Sequence, residues 1–407
     1  MTKYNVYPLA NPSRSVSAIS FPIAPLLVLA MTSFIATANE IVPAGLLAQI
    51  AQSFTVSQAW AGQLVSACAL GSAMAAIPLT VAFRHWQRKN VLMLALLTFF
   101  ICNVVTAVSP YYALTLAARF LAGLATGLAW SLLASYARSM VVASLQGRAL
   151  AVAMLGIPIA LSLGVPLSAW IGKIIDWHAI FGGLAGLTLV VMLWAARIMP
   201  DPHGQEKGQK KQQKISLYAV VKTPGVGPVL FVVMTWNLAH YMLFTYIAPF
   251  LEFVGLANYL DLMLLIFGVS TMVGLWIVGL LIDKWLRGLV LLSLCLFALV
   301  ALIFGLSGST PHVVLVCLGV SAWGLSFGGA PTLLQTALAE AATDATDVAQ
   351  SMLVTVFNFA FAASGVVGGL ILGFSGVAVL PWVTLLILLA AFMTAWRAKA
   401  HGFTQRH

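Results

Sequence analysis

The chain has 407 residues, of which 61% are hydrophobic and only 7% are charged, and it carries a formal net charge of +10. Soluble domains contain about 25% charged residues, so this composition excludes an ordinary soluble protein. The apolar runs last about twenty residues and are rich in Leu, Ala, Gly and Met, which is typical of membrane-spanning helices and excludes the short alternating strands of an outer-membrane barrel.

Twelve apolar runs predict twelve membrane-spanning helices, and the one long polar segment, 200–223, divides them into two sets of six. We therefore expect an all-α polytopic membrane protein with an N-terminal six-helix bundle at 22–199 and a C-terminal six-helix bundle at 224–397, flanked by cytoplasmic tails at 1–21 and 398–407. The predicted spans are 22–50, 57–83, 90–109, 111–138, 148–174, 179–199, 224–250, 260–282, 288–306, 312–339, 349–374 and 377–397.

The two sets of six resemble each other in sequence. Segment 40–43 in the first span resembles segment 246–249 in the seventh, and segment 164–166 in the fifth resembles segment 365–368 in the eleventh. Internal repeats of this kind are common in transporters. We therefore expect two related bundles around a central cavity.

The positive charges indicate the orientation of the chain, because cytoplasmic loops collect Lys and Arg. With the N-terminus inside, Arg119 and Lys173 are the only Lys or Arg residues that do not fall on the cytoplasmic side. Both termini and the linker 200–223 are therefore expected to be cytoplasmic. Attraction to anionic lipid accounts for the net positive charge, so no nucleic-acid partner is expected.

The first span contains an acid, Glu40, inside an otherwise apolar stretch, while all the other acidic residues fall in predicted loops or at helix ends. A carboxylate within the membrane costs about 2.5–3.5 kcal/mol on insertion scales, so it is a functional-site hypothesis by default. We expect Glu40 to bind and release a proton.

The distribution of acids also bears on catalysis. Acid–base hydrolysis needs paired carboxylates and metal catalysis needs clustered ligands, and neither is available inside the predicted spans. The four cysteines fall singly in four different spans. We therefore expect no enzymatic activity, no cofactor and no metal site.

In the fourth span, Arg119 lies about 12 Å from the start of the predicted helix, at a depth similar to that of Glu40. Opposite charges in the membrane become tolerable when they are paired or face water, so we expect the two to approach each other directly or through water. A static structural ion pair is one interpretation. The other is proton exchange, because burial favours the neutral acid whereas a nearby guanidinium favours the carboxylate.

His240 in the seventh span is interpreted in two ways, as a second proton-handling or ligand-binding group and as an ordinary hydrogen-bonded core residue. Aromatic walls with a few amide and hydroxyl groups suit a neutral or amphipathic organic molecule better than a metal ion or a polyanion. The residues that we expect to contact such a substrate are Asn39, Trp130, Asn237, Tyr241, Tyr246, Trp323, Phe327, Gln335, Phe357, Asn358 and Phe361.

Segment 279–287, with Gly279, Asp283, Lys284 and Arg287, resembles the loop signature of the major facilitator superfamily. The resemblance implies close helix packing at the glycine and a cytoplasmic charge lock formed by the acid and the basic residues. The first half has Arg84 where the signature carries its acid, which makes a symmetric lock doubtful.

Two arrangements remain open for the basic residues of the first half. Arg84, Arg88 and Lys89 could meet an acidic loop of the second half that contains Glu340, or both loops could simply be solvated. The other acids of that loop are Asp344 and Asp347.

Further motifs resemble the twelve-helix drug:proton antiporter branch of this superfamily. Arg119, followed by glycines at four-residue steps, is similar to the motif of the fourth helix, whose arginine is implied in proton coupling. Gly156, Gly164 and Pro166 are similar to the antiporter motif of the fifth helix. Val165 departs from the stricter motif, which leaves symport open beside antiport.

The strongest similarity is to bacterial sugar, arabinose and nucleoside efflux transporters, over nearly the whole chain. It rests on segments 39–47, 240–249 and 345–349 and on the pair Phe357-Asn358. Members of that group export sugars, nucleosides, antibiotics or lipophilic cations, and the resemblance implies that a carboxylate matching Glu40 is the proton site.

These features predict a transporter of the bacterial inner membrane that works by alternating access. We expect proton-coupled efflux, by antiport, of a small organic molecule such as a sugar, nucleoside or drug, carried out by a monomer whose partners are the solute, protons and the lipid bilayer. A proton-coupled uptake symporter and an uncoupled facilitator of a similar solute are the alternatives. A membrane sensor or enzyme would need a sizeable soluble domain or a catalytic cluster, and the sequence contains neither.

Overall fold

The computed structural model describes residues 21–75, 78–83, 86–142, 145–200, 220–308, 312–342 and 346–403. Within these ranges the chain is helical and contains no β-strand. The helices are α1 (Ile23–Gly45), α2 (Leu47–Ser53), α3 (Gln58–Ala75), α4 (Pro78–Ala82), α5 (Arg88–Val108), α6 (Tyr112–Ser139), α7 (Gln146–Met154), α8 (Gly156–Ile159), α9 (Val165–Ile174), α10 (Trp177–Ile198), α11 (Val226–Thr245), α12 (Ile247–Phe253), α13 (Leu260–Leu306), α14 (Val313–Gly328), α15 (Ala330–Ala342), α16 (Thr346–Phe374) and α17 (Leu380–Arg397). A π-helical turn, Ala160–Gly164, joins α8 to α9, and 3₁₀ turns at Ala257–Tyr259 and Val377–Val379 precede α13 and α17.

In the described part of the chain, 10 helical stretches are long and apolar enough to cross a membrane. Nine of them coincide with one predicted span each, and the tenth, Ala257–Leu306, contains both the eighth and the ninth predicted spans. The second predicted span forms α3 and α4 and is not among the 10. Helix α3 carries Gln, Ser and Gly among its apolar residues, and it packs between α6 and α16.

Helix α13 is 47 residues long and contains one residue with non-helical backbone angles, Trp285. A straight helix would separate Phe267 from Phe297 by about 45 Å. Both rings nevertheless pack against Trp323 of α14, with centroid distances of 4.7 and 5.7 Å. The helix therefore folds back at Trp285, and its two arms are the eighth and ninth of twelve crossings, six in each half.

Each half begins with a long helix, a break and a helix of seven residues. Helix α1 ends before Leu46 and is followed by α2, and helix α11 ends before Tyr246 and is followed by α12. The two breaks are 200 positions apart, so Glu40 and His240, each six residues before its break, occupy equivalent positions. The sequence match paired segment 40–43 with segment 246–249, and the structure shows that these segments are not at equivalent positions, so this register was wrong.

The two halves are joined by polar contacts at one end of the molecule. The Lys173 ammonium at the end of α9 pairs with Asp261 of α13 at 2.5 Å, and the Gln58 amide of α3 donates a hydrogen bond to Glu252 of α12 at 2.8 Å. We call this the Lys173 end. The main packing contacts between the halves, in the part that the structure describes, pair α3 with α16 and α9 with α13.

Close backbone packing continues the contact between the halves along α3 and α16. The hydroxyl of Tyr246 and the side-chain amide of Gln63 both donate to the carbonyl oxygen of Gly365, at 2.6 and 3.2 Å. A Cβ atom at Gly365 would collide with the Ser66 hydroxyl, and one at Gly62 would collide with the Tyr246 ring. We call these five residues the Gly365 junction.

At the opposite end, long basic side chains form hydrogen bonds inside one half. Lys89 donates to the carbonyl of Ala196 at 2.8 Å, within the first half, and Arg287 donates to the carbonyl of Ala395 at 3.1 Å, within the second. We call this the Arg287 end.

Candidate functional site

Glu40 lies near the contact between the two halves. Its side chain is 8% exposed, and its Oε1 atom has no hydrogen-bond partner in the described structure. The Trp130 indole of α6 and the Ser72 hydroxyl of α3 lie at the carboxyl group and interact with it. The Ser72 hydroxyl also contacts Oδ1 of Asn358 in α16, at 3.4 Å. The acid is therefore linked through one serine to the second half.

Arg119 is fully buried beside the same segment of α1. Its guanidinium donates to Oδ1 of Asn103 at 2.9 Å and to the backbone carbonyl of Asn39 at 3.3 Å, and it lies 4.8 Å from the centre of the Phe181 ring. Its Nε atom is without a partner among the described residues. Arg119 thus contacts the residue next to Glu40 in the chain.

The direct ion pair between Glu40 and Arg119, one of the two arrangements expected from the sequence, is absent from the described ion pairs. Successive residues of an α-helix point about 100° apart. Arg119 contacts the backbone carbonyl of Asn39, whereas the Glu40 side chain is directed at Trp130 and Ser72. The water-mediated arrangement stays a prediction.

His240 is enclosed by aromatic side chains. Its ring stacks on Phe327 with a centroid distance of 3.3 Å and on Phe267 at 5.7 Å, and its Nδ1 atom accepts a hydrogen bond from the Trp323 indole N–H at 3.1 Å. An indole can only donate, so Nδ1 carries no proton in this arrangement and the imidazole is neutral. At the position equivalent to Glu40, the second half therefore has a neutral imidazole that accepts a hydrogen bond.

Replacing Trp323 with Phe removes the only donor described for Nδ1 of His240. We expect Trp323→Phe to lower the free energy of unfolding by about 0.6–2 kcal/mol more than Trp236→Phe does, because a buried acceptor loses its partner. Trp236 is the matched control, since it is fully buried but its indole N–H has no partner in the described structure. Unfolding of the purified variants in mixed micelles measures the difference, and equal losses would contradict the prediction.

The other expected ligand residues of the second half surround Tyr241. Its ring stacks on Phe361 at 3.9 Å and meets the edges of Phe327 and Phe357 at 6.0 and 5.7 Å. Tyr241 also interacts electrostatically with Glu40 of the first half. The aromatic group of the second half therefore lies within electrostatic range of the acid of the first half.

Three buried acceptors near this site have no described partner, namely Oδ1 of Asn39, Oε1 of Glu40 and Oδ1 of Asn237. The Asn237 amide nitrogen is used locally, since it donates to the Val233 carbonyl at 2.7 Å. Buried polar atoms are almost always satisfied by protein, water or ligand.

Two residues expected to contact substrate lie apart from the aromatic group. The hydroxyl of Tyr246 is occupied by the Gly365 carbonyl, so Tyr246 serves the junction between the halves. Gln335 of α15 is exposed, and its backbone carbonyl accepts a hydrogen bond from the side-chain amide of Gln350. The expected contacts of both residues with substrate therefore stay predictions.

Arg88 and Lys89 are the described basic residues of the first-half loop, and both form hydrogen bonds within their own half. Arg88 donates to the backbone carbonyl at the end of α6, at 3.2 Å, and Lys89 donates to one in α10. Arg84 and Asp344 lie outside the described residues, and so does the Asp347 side chain. The contact expected between these loops therefore stays a prediction.

The described hydrogen bonds of Arg287, in the loop signature of the second half, stay within that half. Arg287 donates to backbone carbonyl groups in the last turn of α17 and just beyond it, and its described acceptors are Ala395, Trp396 and Phe403. It therefore fixes the end of α17 within one half and forms no described lock between halves. Asp283 and Lys284 are exposed, and a Cβ atom at Gly279 would meet open space, so the expected close packing at this glycine was wrong.

The residues of the expected antiporter motif lie at helix contacts. A Cβ atom at Gly156 would collide with the backbone of α1, and one at Gly164 would touch the Phe34 ring at 3.4 Å. The π-helical turn lies between them, and Pro166 follows as the second residue of α9. Proline lacks the N–H that would continue the helical hydrogen bonds, which accounts for a local irregularity here.

Sequence reasoning missed Ser72 and Asn103. Asn103 carries a polar amide inside the third apolar run. A polar side chain in such a run indicates a candidate functional residue, as the carboxyl group of Glu40 does. Ser72 carried no comparable signal, because small hydroxyl residues are common in packed membrane helices.

The sequence model of the Major Facilitator Superfamily matches residues 29–365. Among curated proteins, the chain is 26% identical over 379 residues to the "Transcription regulatory protein OpdE" of Pseudomonas aeruginosa, which covers 92% of this chain and 94% of that protein. It is 32% identical over 228 residues to the "Inner membrane transport protein YdhP" of Escherichia coli K12, covering 56% and 58%. It is 28% identical over 232 residues to a "Probable sugar efflux transporter" of Helicobacter pylori P12, covering 57% and 58%. The last two alignments thus span little more than half of those relatives.

Solved structures show the same fold at low sequence identity. A mutant of the nucleoside transporter NupG superposes with a TM-score of 0.76 at 13% identity, covering 92% of this chain and 99% of that one. The xylose transporter XylE of E. coli, in a partially occluded inward-open conformation, superposes with a TM-score of 0.76 at 15% identity, covering 95% and 100%. With its twelve crossings in two sets of six and a family match over most of its length, the chain belongs to the Major Facilitator Superfamily.

Proposed function

We propose that this transporter exports a small organic molecule, such as a sugar, a nucleoside or a drug, from the bacterial cytoplasm in exchange for protons. The observation that carries the proposal is Glu40, a buried acid with an unpartnered oxygen that is linked through Ser72 to Asn358 of the other half. A proton on this carboxyl group changes a contact between the two halves, which is the contact that alternating access must make and break.

The aromatic and amide groups around Tyr241 suit a ring-shaped solute with polar substituents. The relatives described as sugar efflux transporters support the same solute class. Export is favoured by the resemblance of Gly156, Gly164 and Pro166 to the antiporter motif. Arg119 has a positioning role in this proposal, because it binds the carbonyl of Asn39 and so fixes the segment of α1 that presents Glu40.

The Lys173 end faces the periplasm if the Arg287 end is cytoplasmic, as the positive charges predict. The contacts at Lys173, at Gln58 and at the Gly365 junction then separate the site from the periplasm in this conformation. This corresponds to the state that takes solute from the cytoplasm.

The proposed function is tested with purified protein in liposomes that contain a pH-sensitive dye. Sugars, nucleosides and antibiotics are added singly, and proton movement and solute movement are recorded together. Antiport predicts that a solute gradient drives protons in the opposite direction. Protons that move with the solute would indicate a symporter, counterflow without proton movement would indicate a facilitator, and either result would overturn the antiport proposal.

The ion pair between Lys173 and Asp261 stabilises the state that is closed at the Lys173 end, and its contribution can be measured. Both side chains are partly exposed, at 34% and 26%, so the pair contributes at most about 1 kcal/mol, which corresponds to about a fivefold shift in population. We expect Asp261→Asn to increase the fraction of molecules that are open at this end by up to that factor.

Spin labels at Ser53 and Tyr259, one on each half at the Lys173 end, report the opening as a longer distance. Asp176→Asn is the matched control, because Asp176 lies at the same end but pairs with His178 two residues away. Equal distance distributions for Asp261→Asn and the unsubstituted protein would contradict the prediction.

A further inference from the structure

A cavity of about 370 Å³ lies at the Arg287 end, between the start of α11 and the end of α17. Lys222, Arg397 and the imidazole of His401 line it, and none of the described residues that line it is acidic. All three are exposed. The cavity therefore offers positive charge to a ligand that approaches from outside the protein.

The wall of this cavity is fixed by contacts of the segment after α17. Gly225 and Gly402 both have positive φ, at 94° and 109°, and a Cβ atom at Gly225 would collide with the backbone of Gly402. Phe403 is fully buried, and its carbonyl accepts a hydrogen bond from Arg287 at 3.1 Å. The chain therefore folds back under the start of α11, and the cavity has a defined shape.

The cavity lies where two membrane helices end. Helix α11 enters the apolar region at Val226, and α17 leaves it at Arg397. Next to Arg397, Trp396 is 55% exposed, as is typical of tryptophan at a membrane–water boundary. The rim also contains Val221, 42% exposed, and two prolines, so that apolar surface lies beside the basic groups.

We propose that this cavity binds the phosphate-bearing headgroup of an anionic phospholipid. The basic side chains meet the phosphate charge, and the apolar rim lies beside the acyl chains where they leave the headgroup. A free phosphate would use the charge but gain nothing from the rim, so the lipid is the expected source of the phosphate. Basic residues near an anionic membrane surface each strengthen binding about fivefold. The inference does not depend on the transported solute or on proton coupling.

The test uses the full-length protein in detergent and compares the binding of fluorescent phosphatidylglycerol with that of fluorescent phosphatidylcholine. We expect preference for phosphatidylglycerol, and we expect Arg397→Gln to weaken its binding by about fivefold. Arg197→Gln is the matched control, because Arg197 lies in the last turn of α10, at the end of the first half, and does not line the cavity. His401→Gln is a second variant for the case that Arg397→Gln does not fold, and size-exclusion profiles check folding.

Competition with inorganic phosphate and with glycerol phosphate distinguishes the two sources of the phosphate group. We expect neither to displace phosphatidylglycerol at equal concentration. Displacement by inorganic phosphate would assign the cavity to a soluble anion and overturn the lipid proposal. Equal binding of the two lipids, or an equal loss in the cavity variants and in Arg197→Gln, would overturn it as well.

Discussion

Glu40→Gln is expected to uncouple solute transport from protons. The amide keeps the size and hydrogen-bonding capacity of the side chain but cannot titrate. Coupling between proton and solute is a reciprocal free energy between two binding events, and it vanishes when one of them is removed. The ratio of solute flux with a pH gradient to flux without one should fall to about 1. Paired flux measurements in liposomes give this ratio directly.

The control for this variant is Glu252→Gln, which makes the same chemical change in an acid at the Lys173 end. The amide oxygen there can still accept the hydrogen bond from Gln58, so the ratio of fluxes should stay at its original value. Proton-driven flux that persists in Glu40→Gln would remove Glu40 from the mechanism. It would leave His240 as the next candidate.

Gly365→Val is expected to prevent tight closure of the Lys173 end. The added side chain would collide with the Ser66 hydroxyl, where α16 packs on α3. Overpacking costs about 1–3 kcal/mol, which corresponds to a shift of about 5- to 150-fold away from the closed state. Transport should fall accordingly, and spin labels at Ser53 and Tyr259 should report more of the open distance.

Gly373→Val is the matched control, because Gly373 lies on the same helix two turns further on and a Cβ atom there meets nothing within 4 Å. Ser66→Gly provides a rescue, since it removes the atom with which the new side chain collides. We expect the double variant to regain part of the closed population. An unchanged distance distribution in Gly365→Val would show that the halves do not need this contact.

The two halves share a fold but differ in chemistry at equivalent positions. Glu40 and His240 each lie six residues before the break of the first helix in their half, at Leu46 and Tyr246. Glu40 keeps an unpartnered oxygen, whereas Nδ1 of His240 is occupied by Trp323. In the proposed function the first half therefore supplies the proton site, and the second half supplies an aromatic surface.

Much of the architecture was predictable because membrane insertion is a local requirement. Spans of about twenty apolar residues follow from the thickness of the bilayer, and eleven of the twelve predicted spans coincide with stretches that are long and apolar enough to cross it. The second span was predicted from its length, but its small and polar residues reflect a position between α6 and α16.

The internal repeat was detected but placed in the wrong register. The match of segments 40–43 and 246–249 rested on a shared isoleucine and a shared proline. In the structure Pro43 precedes the break at Leu46, whereas Pro249 follows the break at Tyr246. Short matches cannot fix such a register, because the position of a break depends on the helices that pack around it.

The sequence by itself determined that the chain spans a membrane, that it consists of two sets of six helices, and that Glu40 and Arg119 are its exceptional charges. It could do so because the cost of placing a charge in an apolar segment depends on the segment alone. The tertiary structure decided what these charges contact. Arg119 binds Asn103 and the carbonyl of Asn39, and Glu40 is directed at Trp130 and Ser72. These partners depend on how each helix is rotated about its axis, and that rotation is set by packing against neighbouring helices.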